Sequence, residues 1–399
     1  MTAAASVERW LDHHDAELVA FRRHLHAHPE PSGEEHETTR LLAQRLAAAG
    51  LAPRVLTSGT GLICDVGSGP GPVVALRADI DALAMQDLKQ TEPRSTRDGV
   101  AHACGHDVHT AIVLGAGLHL AERLPAEGCR VRLFFQPAEE RLPGGALDVI
   151  ADGGLDDVAV VYGLHCEPKL PTGSVGLRVG AITAAADSVT IDLAGPGGHT
   201  ARPELTVDLV RVLGDVVTRF PDAVRRVLGG GDVPLKVVFG AVHAGDAFNV
   251  IPTHASLRAV VRTTSDTVWE ALPDALVRAL TDVVDDDRVV TAIAHTRGVP
   301  PVVNDAEAIA VAERTVARTW GQGAIEPAPQ SWGGDDFAWY TQRVPGAYLR
   351  LGTHHPDRPA LLDLHAGHFD VDERAIGIGV RLLVGIVEEE LRQRSDAAH

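Results

Sequence analysis

The chain has few cysteines. There are 4 in 399 residues, Cys64, Cys104, Cys129 and Cys166, and no two stand in a Cys-x-x-Cys pair. That argues against a disulfide framework and fits a reducing, cytoplasmic location. Also missing is any charge-free apolar run near the roughly 18 residues that a membrane span needs. Residues 1–12 have no apolar core behind a basic start, so no secretory signal is expected there. Positive charge is in deficit: 36 Lys and Arg against 54 Asp and Glu leave a formal net charge of −18. Nucleic acid and anionic membrane are therefore not expected as partners. No internal repeat or low-complexity tract interrupts the chain. The glycine-rich stretch Gly67–Pro72 is not followed by Gly-Lys-Ser/Thr, so it reads as a tight turn rather than a phosphate loop.

Apolar residues make up an ordinary 45%, enough for a large core, and the length suggests about two domains. The densest chemistry lies in His102-Ala103-Cys104-Gly105-His106-Asp107-Val108-His109. From Cys104 to His109 it carries one thiol, two imidazoles and one carboxylate, donors suited to zinc and its neighbours. Asp107 can cap a helix running from Ala111 to Leu124, and His102 and His109 read as a frame around Cys104 and His106.

Two amphipathic helices, 4–28 and 34–49, open the chain, the second ending at Gly50. His24, His26 and His28 lie within the first. They have no acid or thiol beside them in sequence and read as polar surface or as a supporting cluster. The run Val73–Leu76 is a buried strand that delivers Arg77, Asp79 and Asp81. Val131–Phe135 is another, delivering Glu139 and Glu140, and Val158–Tyr162 a third, delivering His165 and Cys166. Strands alternate with helices, so the sheet is at least partly parallel. Sites in such sheets gather at the carboxyl ends of the strands, and these three apolar runs all end in ligand-type or charged residues.

Residues 184–296 follow a different plan, β-α-β-β-α-β, the split arrangement of ferredoxin-like domains. The expected fold is therefore α/β: a mixed, largely parallel sheet flanked by helices in residues 1–183 and 297–399, with a ferredoxin-like α+β domain inserted at 184–296. In the insert, Gly195–Pro203 is a glycine-rich turn presenting His199 and Arg202, and Asn249 and Arg262 are further polar candidates. In the C-terminal part, the loop 361–370 carries His365 and His368.

Read together, the motifs form an ordered set: Leu76–Leu83, His102–His109, Phe135–Glu140, Gly163–His165, Gly198–Pro203, Asn249–Pro252, Asp335–Phe337 and Leu364-His365. The set resembles the metal-dependent amidohydrolases that include aminoacylases, hippurate hydrolases and plant auxin-conjugate hydrolases, relatives of carboxypeptidase G and the dimetal exopeptidases. The resemblance implies two divalent ions, zinc foremost, with manganese, cobalt or nickel as alternatives. Cys104 would bridge them, His106 and His165 would complete one, and Glu140 and His365 the other. Glu139 would be the general base and Asp79 would orient His106. His199 and Asn249 would reach the substrate, Arg262 would meet its carboxylate, and the insert would join two copies into a homodimer. The implied substrate is an N-acyl amino acid; a dipeptide or a carboxypeptidase substrate is the alternative. The chain departs from the family pattern at Arg141–Ala146, at Glu204-Leu205 and in the stretch 352–362, which bears on substrate preference.

Overall fold

The computed structural model describes residues 3–69, 71–124, 130–357 and 361–397. Pro70 of the glycine-rich turn, Cys129 and part of the 352–362 stretch lie outside the described residues. The chain divides into two compact units: Met1–Ile182 with Val303–Gln330 and Asp336–His399, and Thr183–Val302 with Ser331–Asp335.

The first unit is built on an eight-stranded sheet. Its order is Arg54–Val55, Leu62–Val66, Arg130–Gln136, Val73–Asp79, Val158–Pro171, Gly346–His354, Val175–Leu177 and Ile325–Pro327. The four central strands, from Arg130–Gln136 to Gly346–His354, run parallel, while Leu62–Val66 and Val175–Leu177 join them antiparallel. Val73–Asp79 is buried at every position, as a parallel strand covered on both faces must be. Helices Ala3–Ala27, His106–Arg123, Ala306–Trp320 and Arg374–Ala397 pack around it, and Leu18, Leu25, Ile112, Leu133, Leu164 and Val380 share one core. Two of these helices approach closely through glycine. A Cβ at Gly379 would come within 2.4 Å of Ile112 Cδ1.

The helix after the cysteine stretch begins at His106, earlier than its apolar pattern suggests, with Gly105 as its N-cap residue in the left-handed region (φ 86°). Asp107 is therefore not a cap. It lies inside the first turn, fully buried, and takes a 2.7 Å hydrogen bond from Arg22 Nε and a 2.8 Å contact from His26 Nδ1. That pairing draws His26 out of the polar surface role expected for the three N-terminal histidines. By contrast, His28 Nδ1 only bonds the backbone of its own helix, at His24 O.

The second unit is a four-stranded antiparallel sheet, ordered Leu235–Ala244, His254–Thr263, Ala186–Ala194 and Val290–Val299. With helices Leu209–Val227 and Asp266–Val283 it follows the split βαβ plan. Asp208 and Ser265 cap those helices, accepting hydrogen bonds from the N–H groups of Arg211 and Val268. Val189, Ile191, Leu193, Phe220, Leu257 and Leu276 are buried within the unit. The last strand pairs as far as Val299 with Ala186, so the unit reaches beyond the 296 boundary expected from the sequence. Among the described residues no helix is long and apolar enough to cross a membrane.

Candidate metal centre

The carboxyl ends of the central strands and the start of helix His106–Arg123 meet in one place. Gly105, with φ 86°, turns the chain between Cys104 and His106; a Cβ there would also press within 2.8 Å of Cys166 Sγ. The backbone N–H of His365 donates to Ala103 O at 2.8 Å, which brings the C-terminal histidine loop onto the same stretch. Glu139 and Glu140 follow strand Arg130–Gln136, and Ala138 before them adopts φ 53°.

Ligand-type atoms of Cys104, His106 and His165 lie within 4.8 Å of one another, as do those of Cys104, Glu140 and His365, and those of His106, Glu139 and Glu140. Cys104 Sγ is 3.4 Å from His165 Nε2, and His365 Nε2 is 3.2 Å from Glu140 Oε1. The five expected ligands and Glu139 thus converge, with Cys104 common to two of the groups.

Both buried histidines are held so that Nε2 points away from its anchor. His106 Nδ1 contacts Asp81 O at 2.9 Å and Asp81 Oδ1 at 3.1 Å. His165 Nδ1 contacts Cys166 O at 2.7 Å. An Nδ1–H donor in each ring leaves Nε2 as the acceptor, the usual posture of a metal-binding imidazole. His106 Nε2 is buried with no hydrogen-bond partner, and buried Glu140 Oε1 has His365 Nε2 at 3.2 Å as its close polar neighbour. Orphaned polar atoms of this kind are rare and call for an explanation. Burial pushes the Cys104 thiol well up, so a thiolate there needs a cation beside it. Burial disfavours charge on His106, but Asp79, Cys104 and Asp81 outweigh it and raise its pKa well above the usual range. A thiol, imidazoles and carboxylates around an excess of negative field fit a divalent-metal donor set.

Asp79 has a different partner from the one expected. Its Oδ2 is 3.6 Å from His106 Nε2, too long for a hydrogen bond, and Asp81 orients His106 instead. Asp79 Oδ1 accepts from His109 Nδ1 at 2.6 Å, and Arg77 binds its other oxygen at 2.5 Å. Burial opposes its charge, but Arg77, His106 and His109 hold its carboxyl well below the usual range. His109 Nε2 in turn accepts the Cys166 N–H at 2.9 Å, so the Arg77–Asp79–His109 chain braces the backbone next to His165. Arg77 also reaches Gln136 at 2.9 Å and Asp336 at 2.9 Å. Asp336 accepts from Ala146 N as well, which fastens the atypical loop Arg141–Ala146. Asp81 and Arg77 are the residues the motifs left without a role, and His109 was read only as part of a frame. Their place in the strand-end motif Leu76–Leu83 and the cysteine stretch was the one available signal.

His199, Asn249 and Arg262 lie in the second unit. His199 pairs with Val250 across a two-stranded ribbon, and Thr200 N donates to Asn249 O at 3.4 Å, so His199 and Asn249 are neighbours. His199 Nδ1 accepts the Ala201 N–H at 3.1 Å, leaving Nε2 open, and both side chains are exposed. Arg262 stands apart on strand His254–Thr263, donating from Nη1 to Trp332 O at 2.6 Å.

Known proteins are similar to this chain over most of its length. The chain is 41% identical over 376 residues, 94% of its length, to a Rhodococcus jostii protein provisionally named a glutamate–cysteine ligase, and spans only 47% of that protein. It is 35% identical to an N-acetyl-L-cysteine deacetylase of Bacillus subtilis, covering 91% of this chain and 85% of that one. It is 34% identical to an N-acyl-L-amino acid amidohydrolase of Geobacillus stearothermophilus, covering 75% and 80%. Among solved structures, a dinuclear metal-binding peptidase of Bacillus subtilis superposes with a TM-score of 0.82 at 30% identity, covering 95% of this chain and 98% of that one. The family model described as Peptidase family M20/M25/M40 matches residues 75–389, from the strand bearing Arg77 and Asp79 to the closing helix. The chain belongs to the M20/M25/M40 peptidase family.

Proposed function

We propose that this protein hydrolyses the amide bond of N-acyl-L-amino acids, releasing a carboxylic acid and a free amino acid. The observation that carries this reading is the convergence of Cys104, His106, Glu140, His165 and His365, with buried, unpartnered His106 Nε2 among their atoms. The names of the deacetylase and amidohydrolase relatives support the same class of substrate.

These five residues would hold two divalent ions, Cys104 between them. The thiolate and imidazole donors favour zinc, with manganese, cobalt or nickel as alternatives. When bound, such a pair supplies an acidified water and an electrophile for the scissile carbonyl. Glu139 takes the proton from the attacking water and returns it to the leaving amine, acting as base and then as acid. Asp81 keeps His106 in the tautomer that exposes Nε2, and Cys166 O does the same for His165. His199 and Asn249, adjacent in the second unit, are assigned to the substrate, His199 at the developing oxyanion and Arg262 at the carboxylate. The reading includes a homodimer formed through the second unit and a reducing, cytoplasmic setting. Cys64, Cys104 and Cys166 are free and buried, which agrees with that setting.

The test is turnover of acetyl-, benzoyl- and aminoacyl-amino acids by metal-reconstituted protein. Glu139→Ala should lower kcat by at least about 10²–10⁴-fold while bound metal stays at the wild-type level. Normal activity in that variant would remove Glu139 from the base role. Cys104→Ala should lower the metal content measured by plasma emission, and unchanged stoichiometry would remove it from the centre. Preference for aminoacyl substrates would turn the reading toward a dipeptidase, consistent with the peptidase name of the Bacillus subtilis structure.

A further inference from the structure

The strand register of the first unit lines up four polar residues in one row. Asp79 pairs with Gln136, and Arg350 pairs with His165. Arg77 pairs with Gly163, two residues before Asp79 and His165, which joins the two pairs across the central strands. Side chains in one such row point to the same face of a sheet. Three of the four are engaged. Gln136 binds Arg77, Asp336 and Tyr340. Asp79 binds Arg77 and His109. His165 is anchored through Nδ1.

Arg350 differs. It is 7% exposed, and among the described residues its guanidinium makes no hydrogen bond or ion pair. Its nearest neighbour of note is the Tyr348 ring, 5.1 Å from Cζ, and that ring stands 6.0 Å from the ring of His165. The acid two residues beyond His165, Glu167, turns Oε1 to the Lys169 N–H at 3.1 Å. A buried guanidinium without an anion is unfavourable, and its planar fork matches a carboxylate. It lies with His165 in the row at which the neighbouring strands Val73–Asp79 and Arg130–Gln136 end, and such sheets bind ligands at their carboxyl ends.

We infer that Arg350 receives a carboxylate of the substrate in the first unit, beside His165. This rests on the amidohydrolase reading above. The carboxylate is either the α-carboxylate of the amino acid, which Arg350 would then take in place of Arg262, or a second one on its side chain, the same chemistry from two positions.

Arg350→Met and Arg350→Lys, made in the full chain and loaded with metal, test this on N-acetyl-L-leucine and N-acetyl-L-glutamate. Arg350→Met is expected to raise KM roughly 10- to 100-fold, the usual worth of a charge-assisted hydrogen bond, with kcat and metal content near wild type. Arg350→Lys should recover part of the loss. A rise on both substrates assigns the α-carboxylate; a rise confined to N-acetyl-L-glutamate assigns the second. Unchanged KM on both, a fall in kcat alone, or loss of bound metal overturns the assignment. If the wild-type protein turns over neither these two nor any other N-acyl amino acid, the functional reading fails. Turnover that Arg350→Met leaves intact removes only Arg350.

Discussion

Strand Val73–Asp79 of the first unit is buried at all 7 positions, whereas strand Ala186–Ala194 of the second alternates buried Asp187, Val189, Ile191 and Leu193 with open Ser188 and Asp192. A parallel strand covered on both faces cannot place charge along its length unless a partner meets it, so its charges collect at the end and arrive in pairs. Arg77 with Asp79 and Asp336 is such a set. An antiparallel strand with an open face can carry polar groups anywhere on that face at little cost, and there they carry little structural information. Even valine stands open there: Val238 is 61% and Val260 40% exposed.

The sharpest way to break this contrast is to remove the middle of the buried set. Arg77→Met leaves Asp79 and Asp336 without their buried cation and should destabilise the first unit by about 3–5 kcal/mol, read from urea unfolding at neutral pH. A loss below about 1 kcal/mol would mean that the row is not a stabilising unit. Next is Glu389 on the closing helix, buried and bound by Arg318, Arg392 and Gln393, which hold its carboxyl, against burial, down to about 2. A depressed folded pKa means that the unfolded chain binds the extra proton between the two values. The contribution of Glu389 is therefore complete above the unfolded value, near 4.5, and is lost as pH falls toward about 2. Glu389→Gln should remove about 1–3 kcal/mol at pH 6 and flatten the acid limb of the stability curve. A limb of unchanged slope would remove Glu389 from that role.

A smaller effect separates this group from its more open counterpart in the second unit. Asp286 is likewise held down to about 2 by Arg288, but its side chain is 24% exposed against 1% for Glu389. Half-molar salt should return Asp286 toward the ordinary carboxylate value in an NMR titration while leaving Glu389 in place. If both move together, burial does not distinguish the two units. The smallest effect is expected on the bare sheet face, where Val260→Thr should change stability by no more than about 0.5 kcal/mol.

The proposed ligands Cys104, His106, Glu140 and His165 stood out in the sequence because each sits just past an apolar run that reads as a buried strand, or in one dense motif, whereas His365, in a loop, stood out only through the family resemblance. The ferredoxin-like order of the second unit was legible for the same reason: its strands and helices are long and strongly periodic. What was not legible are partnerships that chain distance conceals. Arg77 meets Asp336 across 259 positions and Arg22 meets Asp107 across 85. Asp79 was given the wrong histidine because local spacing does not say which way a strand-end carboxylate turns. It went to His109, one helical turn beyond the residue expected, and Asp81 took His106. Short edge strands such as Val175–Leu177 and Ile325–Pro327 left no pattern, since three residues are too few to show a period.

Among the described residues three non-glycine positions adopt the left-handed conformation, and two of them, Ala138 (φ 53°) and His365 (φ 57°), adjoin or supply the donor cluster. Each costs about 1–2 kcal/mol that a glycine would not. Selection for heat tolerance alone would therefore be expected to exchange Ala138 for glycine, and selection for turnover to refuse the exchange, because a freer backbone at 138 loosens the carboxylates of Glu139 and Glu140. His365 admits no such exchange, since glycine there deletes the imidazole together with the strain. The two positions thus mark where robustness and activity would pull this chain in opposite directions.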